Sequence, residues 1–389
     1  MKKTYIIVGI LCFVVSLCGG CSNLTGLSGG DGDDSSQAIE EMTPSPLPES
    51  TPAVPETPEP APTSRPGLTP SPEPSNIPEP SASAAPDLNL EQPEEKALKL
   101  LEDMTLEEKV GQMFFVRCKN DTANTDIQTY HMGGYLLFAE DFADKSKKEM
   151  QETIRDYQKL SALPMLIGVD EEGGTVNRIS KYKQYRSYPF HSPQELFQEG
   201  GYSLIKSDTV EKAKLLKSLG INVNLAPVCD VSTAPADFIY RRSFGKPAKE
   251  TSEYVKTVVT EMKLAGIGCT LKHFPGYGNN VDTHTGIAVD ERSLNSFKES
   301  DFLPFQAGID AGAGSILVSH NIVKAMDDTY PASLSPAVHK ILRDELGFTG
   351  VIMTDDLSME AVTKFTGDEE AAVLAVEAGN DLLIATDFK

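Results

Sequence analysis

Eight short apolar runs recur between residues 114 and 386, and they restrict the fold more than any other feature of the chain. They are FFVRC (114–118), GGYLLF (133–138), MLIGVD (165–170), NVNLAPV (222–228), GCTLKHF (268–274), GSILVSH (314–320), GVIMTDD (350–356) and DLLIAT (381–386). Continuous apolar runs suit strands buried on both faces, as in a parallel sheet. The intervening segments have helical character: SKKEMQETIRDYQKLS, SDTVEKAKLLKSLG, KETSEYVKTVVTEMKLAG, SPAVHKILRDELG and GDEEAAVLAVEAG. Several end in Gly, as helix C-termini tend to. Alternating β and α segments predict βαβ units. Eight of them predict an α/β fold, a (β/α)8 barrel of the TIM type, with a doubly wound sheet as the competing arrangement. The sequence ends at Phe388-Lys389, just after the eighth run, so the eighth helix is expected to be missing. PEEKALKLLEDM and TLEEKVGQM, ahead of the first run, are expected to pack near that gap.

The N-terminal quarter is of another kind. Residues 1–21, MKKTYIIVGILCFVVSLCGGC, place two lysines before an apolar run, small residues and a cysteine, the pattern of a secretory signal. The run is short for a stable membrane span. Ser16-Leu17-Cys18-Gly19-Gly20-Cys21 resembles a bacterial lipoprotein processing site, with Cys21 as the lipidated residue and Cys18 where Leu or Val is usual. Ordinary secretion, or processing at Cys18, is the alternative. Acyl chains on Cys21 would tether the exported protein to a membrane lipid surface. Residues 22–92 are rich in Pro, Thr, Ser and Glu, and sixteen of the 26 prolines lie between Pro44 and Pro93. Such a segment buries too little apolar surface to offset its ordering entropy and is expected to be a disordered, extended spacer. The globular domain is expected over 93–389.

The net charge of −22 divides unevenly: residues 22–95 carry −13, residues 96–389 carry −11, and Lys2 and Lys3 supply +2. No basic patch argues for nucleic acid. Three of the six cysteines fall in the signal region, and Cys118, Cys229 and Cys269 remain, an odd number without a CxxC. They support neither a disulfide framework nor a structural zinc site. Buried free thiols are expected.

In a barrel of this type the site lies at the C-terminal ends of the strands. The third run ends in Asp170, followed by Glu171-Glu172-Gly173-Gly174 and Arg178. The fourth leads to Asp230 and then Arg241-Arg242-Ser243-Phe244-Gly245. The fifth ends in Lys272-His273 before a Gly-rich loop that holds Asp282 and His284. The sixth ends in Ser319-His320-Asn321 and the seventh in Asp355-Asp356. Blander roles compete. One of Asp355 and Asp356 can cap the following helix while the other is catalytic. Asp170 can be a buried acid bonded to the turn, and Lys272-His273 can be structural. Glu171 and Glu172 read equally well as a solvated turn. His320 reads as a packed strand-end residue, His131, His191 and His339 as ordinary surface or helix residues, and Arg241 as solvent-facing. A metal held by Asp355, Asp356 and Asp170 has no His-rich ligand spacing behind it, and no cofactor is expected.

Four motifs in order resemble glycoside hydrolase family 3: Asp-x-Glu-Gly-Gly-x-Val-x-Arg (170–178), Arg-Ser-Phe-Gly (242–245), Lys-His-Phe-Pro-Gly-x-Gly with Asp-x-His (272–284), and Thr-Asp-Asp-Leu-Ser-Met (354–359). Within it they are similar to the β-N-acetylhexosaminidase (NagZ-type) branch, over about 105 to 389. The resemblance implies a retaining hydrolase of terminal, non-reducing β-linked N-acetylglucosamine, often from cell-wall fragments. It implies Asp355 as nucleophile, His284 as general acid and then base, Asp282 as the group that orients His284, and Asp170, Arg178, Arg242, Lys272 and His273 as a clamp on the sugar hydroxyls. An imidazole titrates near neutrality, which suits both proton steps. A spacing of two predicts Asp282 and His284 on one side of an extended segment. Tyr277 stands where the family often has His, Thr175 where Arg is common, Glu171 where Gln is common and Thr283 where Ser is frequent. A β-glucosidase or a phosphorolytic member of the family, and a non-catalytic glycan-binding surface lipoprotein, are the alternatives.

Overall fold

The computed structural model describes residues 93–283 and 286–387. The expected signal segment, Cys21 and the spacer lie outside them. Eight strands form a closed barrel: β1 Phe114–Arg117, β2 Gly134–Leu137, β3 Leu166–Val169, β4 Val223–Asn224, β5 Gly268–Phe274, β6 Ser315–Val318, β7 Val351–Asp356 and β8 Leu382–Ala385. Each pairs in parallel with its neighbours in chain order. Closure is by β1 on β8, Phe115 opposite Ile384 and Val116 opposite Ala385. The doubly wound alternative is thereby excluded. All eight apolar runs supply a strand, but 222–228 contributes only Val223–Asn224.

Two apolar layers hold the barrel. Its interior is filled by Phe115, Leu136, Leu166, Leu317, Met353 and Ile384, all buried. Phe115 reaches so far across that a Cβ at residue 168 would strike its ring, which is why glycine stands at that point of β3. A larger layer lies between strands and helices. The helices Lys147–Leu160, Pro193–Leu219, Ala248–Ala265 and Asp368–Ala378 fall on the predicted helical segments, Pro193–Leu219 being broken at Gly200–Gly201. Their ends follow local chemistry. Ser146 and Ser192 each form a capping box with a glutamate three residues on, an arrangement that stabilises a helix by ~1 kcal/mol. Gly220, Gly266 and Gly379 end helices in the left-handed region.

The β8–β1 seam is flanked by the helices Leu106–Gly111 and Asp368–Ala378. Between them runs a groove of about 440 Å³ lined by Leu106, Val110, Met113, Phe114, Val373 and Leu383. TLEEKVGQM therefore packs at that seam as expected. A two-stranded parallel sheet, Val289–Asp290 with Ile322–Val323, joins the end of the loop after β5 to the segment after β6. Cys118, Cys229 and Cys269 are buried free thiols, as expected. Among the described residues no helix is long and apolar enough to cross a membrane.

Candidate active site

The barrel brings the predicted clamp residues together at the C-terminal rim. Lys272, from β5, places Nζ 2.5 Å from Asp170 Oδ1 and 2.6 Å from Glu172 Oε1. Arg242 donates twice to Glu172, from Nε at 3.1 Å and from a terminal nitrogen at 2.7 Å. The same guanidinium lies 3.1 Å from His273 Nε2, and His273 Nδ1 lies 2.8 Å from Asp230 Oδ2. Arginine can only donate, so the network is satisfied by the tautomer with the proton on Nδ1, donated to Asp230. Buried ions are tolerable when each has a partner, and here three segments, after β3, after β4 and on β5, exchange theirs. Burial alone would raise the Glu172 carboxyl, but Arg242 and Lys272 outweigh it and hold it well below the usual range. Burial likewise opposes the Lys272 ammonium, and Asp170 and Glu172 more than compensate, so its pKa rises.

The solvated-turn reading of Glu171 and Glu172 fails: both are buried. Glu171 accepts backbone N–H bonds from Arg178 and Ile179 at 2.8 Å and from Ser180 at 3.2 Å, and the Ser180 hydroxyl as well. A carboxylate satisfied by successive amides fixes the 170–180 turn and so aims Asp170 and Arg178. Arg178 packs its guanidinium 5.4 Å from the Phe138 ring, and its buried Nε has no hydrogen-bond partner among the described residues. Nothing in the spacing of Glu172 announces an ion pair seventy residues away. Only the closed barrel sets β3 beside the segment after β4.

At the end of β7 the two aspartates part company. Asp356 accepts from Ser358 N–H, Ser358 Oγ and Thr386 N–H, and from the Thr386 hydroxyl, stitching the β7 loop to the end of β8. Asp355 is half-buried, with Oδ1 2.9 Å from the Asp356 amide. His320 is packed as expected, its Nδ1 2.7 Å from Ser333 Oγ and its Nε2 2.9 Å from the Asp356 carbonyl. Arg241 is exposed, and the described residues hold no grouping of His, Cys, Asp and Glu suited to a metal ion.

The loop after β5 is anchored at both feet by Arg292, which the sequence did not single out. The guanidinium donates to Asp290 (2.7 Å), to both oxygens of Asp301 (3.0 Å) and to the Gly276 carbonyl (3.0 Å), and lies 4.1 Å from the Phe297 ring. Asn280 adds a 2.6 Å bond to Asp290. The backbone presses onto this hub: Gly278 has φ +54°, and a Cβ there would sit 2.6 Å from Arg292 Cζ. Asp282 is half-buried, and Thr283 is fully buried with its hydroxyl 2.5 Å from the Tyr277 hydroxyl. Thr283 lies in a helical turn, and the expected placement of Asp282 and His284 on one side of an extended segment falls partly outside the described residues. His284 lies outside the described residues.

Residues 105–388 match the family described as Glycosyl hydrolase family 3 N terminal domain. A protein of Idiomarina loihiensis named Beta-hexosaminidase is 35% identical over 257 residues, 65% of this chain and 76% of that protein. A Beta-hexosaminidase of Nitrosomonas eutropha is 31% identical over 273 residues, 68% of this chain and 78% of its own. Among solved structures, a glycoside hydrolase family 3 β-N-acetylglucosaminidase from Paenibacillus sp. str. FPU-7 superposes with a TM-score of 0.67 at 30% identity. It is matched over 73% of this chain and 55% of its own length, so the chain spans about half of that protein. A β-N-acetylhexosaminidase from Beutenbergia cavernae gives 0.65 at 26% identity, over 73% and 88%. With a closed parallel barrel, a cationic and acidic rim and a family match over most of its described length, the chain belongs to glycosyl hydrolase family 3.

Proposed function

We propose that the protein is a retaining β-N-acetylhexosaminidase that releases terminal, non-reducing β-linked N-acetylglucosamine from glycans. The observation that carries the reading is the division of labour at β7. Asp356 is held by Ser358 and Thr386 at the β7–β8 junction, while Asp355, likewise half-buried, ends β7 on the same rim as the ion network. The names of the relatives support the substrate class.

In this mechanism Lys272, Arg242, His273, Asp170 and Arg178 hold the sugar hydroxyls through charge-assisted hydrogen bonds. His284, oriented by Asp282, gives its proton to the glycosidic oxygen while Asp355 attacks C1. The leaving alcohol departs and a glycosyl-Asp355 ester remains. His284 then takes a proton from water, whose oxygen attacks C1, restoring the carboxylate and releasing the sugar with its anomeric configuration retained. The Asp282 carboxylate would fix the imidazole tautomer and stabilise the imidazolium. Export through the N-terminal segment, lipidation at Cys21 and a 22–92 spacer would set this chemistry at the outer face of the cytoplasmic membrane, or in the cell wall or extracellular space.

The test is hydrolysis of aryl β-glycosides of N-acetylglucosamine, glucose and xylose. The N-acetylglucosaminide is expected to be preferred, and Asp355→Ala to abolish turnover. Asp282→Ala and His284→Ala are each expected to lose a similar ~10²–10⁴-fold, the usual scale for an acid–base group. Near-full activity in His284→Ala, or inversion of the product anomer by NMR, would reject the mechanism.

A further inference from the structure

Tyr277 bridges the sugar clamp and the loop that bears Asp282. Its main-chain N–H donates to Asp230 Oδ1 at 2.7 Å, the same carboxylate whose other oxygen holds His273. Its ring stands edge-on to His273 at 5.3 Å between centroids and packs on Phe238 at 5.8 Å. Its hydroxyl meets Thr283 Oγ1 at 2.5 Å, and both residues are buried. Burial raises the phenol pKa, and the charge of Asp355 raises it further. Around Thr283 the loop is poorly anchored by apolar contact, since Val281 and Ile287 are exposed.

We propose that Tyr277 is a positioning residue for proton transfer: its hydroxyl, bonded to Thr283, fixes the backbone between Asp282 and His284 relative to the sugar clamp. The inference rests on the mechanism proposed above. A tyrosine suits the task because its span is rigid, with two side-chain torsions, and its buried hydroxyl needs a partner. Thr283 is flanked on either side by the two residues of the dyad, so any freedom gained at Thr283 passes directly to both. A catalytic acid works only within hydrogen-bond reach of the oxygen it protonates, and small displacements of such a group are costly.

The experiment compares kcat/KM on two aryl β-N-acetylglucosaminides, one with a dinitrophenol leaving group and one with methoxyphenol. The first departs without a proton and the second requires one. Tyr277→Phe is expected to lose ~10- to 100-fold on the methoxyphenyl substrate and to stay within ~3-fold on the dinitrophenyl substrate. Thr283→Val should give the same pattern, the double variant no further loss, and Thr283→Ser, which keeps the hydroxyl, near-parental values. Equal losses on both substrates, or no loss on either, in Tyr277→Phe and Thr283→Val would overturn the proposal. His284→Ala separates the two levels. If it too loses equally on both substrates, the dyad itself is wrong. If it is selective while Tyr277→Phe is not, the dyad stands and the brace falls.

Discussion

Replacing Glu172 by glutamine takes one charge and almost no volume from the centre of the rim. The glutamate side chain is 4% exposed, and it receives Arg242 through two bonds and Lys272 through a 2.6 Å contact. Glutamine keeps one acceptor oxygen but turns an NH2 group toward cations that can only donate. Lys272 retains Asp170 at 2.5 Å, so it is not wholly deserted. Breaking a buried pair by removing one partner costs about 3–5 kcal/mol, and the surviving Asp170 contact points to the lower end. For a domain of this size, ~3 kcal/mol lowers the midpoint by roughly 6–12 °C. The pH dependence is the sharper check. The Glu172 carboxyl is depressed from its ordinary 4.5, so its stabilisation is present above about that pH and is lost as pH falls toward the folded-state value. Urea unfolding at pH 7, 5, 4 and 3 should therefore show a gap between parent and Glu172→Gln that is flat from 7 to 5 and narrows below 4.5. A gap under ~0.5 kcal/mol at pH 7, the size of an ordinary surface substitution, would refute the reasoning, as would one that widens in acid.

Two further outcomes are expected. Arg292→Met should destabilise by about 3–5 kcal/mol, because Asp290 and Asp301 are left as buried carboxylates. Burial already raises Asp301 to about 6 against the pull of Arg292, so removing that pull raises it further; the penalty should be greatest above pH 6 and relieved on acidification, as followed by thermal unfolding. Asp356→Ala should lower the melting midpoint by releasing Ser358 and Thr386 from the β7 turn, whereas Asp355→Ala should abolish turnover with a smaller midpoint change, as compared by calorimetry beside activity.

The β/α rhythm was legible because strand and helix periodicities are local, and burial on both faces leaves a continuous apolar signature. The same holds for Asp170, Lys272, His273 and Asp355, since a polar residue at the end of an apolar strand must emerge at the rim. Arg242 was found through its motif, and its partner was not. Glu171 and Glu172 read as a solvated turn because a sequence gives charge without the donors that come to meet it. The donors to Glu171 fold back from residues 178–180 of the same turn, and those to Glu172 come from Arg242 after β4 and Lys272 on β5, brought near by closure of the barrel. Arg292 likewise carries no local mark, as its three acceptors converge only when the loop folds back on its own feet. Strand number and rim chemistry were therefore written in the sequence itself, through residue type and spacing. How Asp356 is bound to Ser358 and Thr386, how Glu171 and Glu172 are satisfied, and how the Asp282 loop is held were decided by tertiary contacts, because hydrogen bonds and desolvation act over a few ångströms of space whatever the distance along the chain.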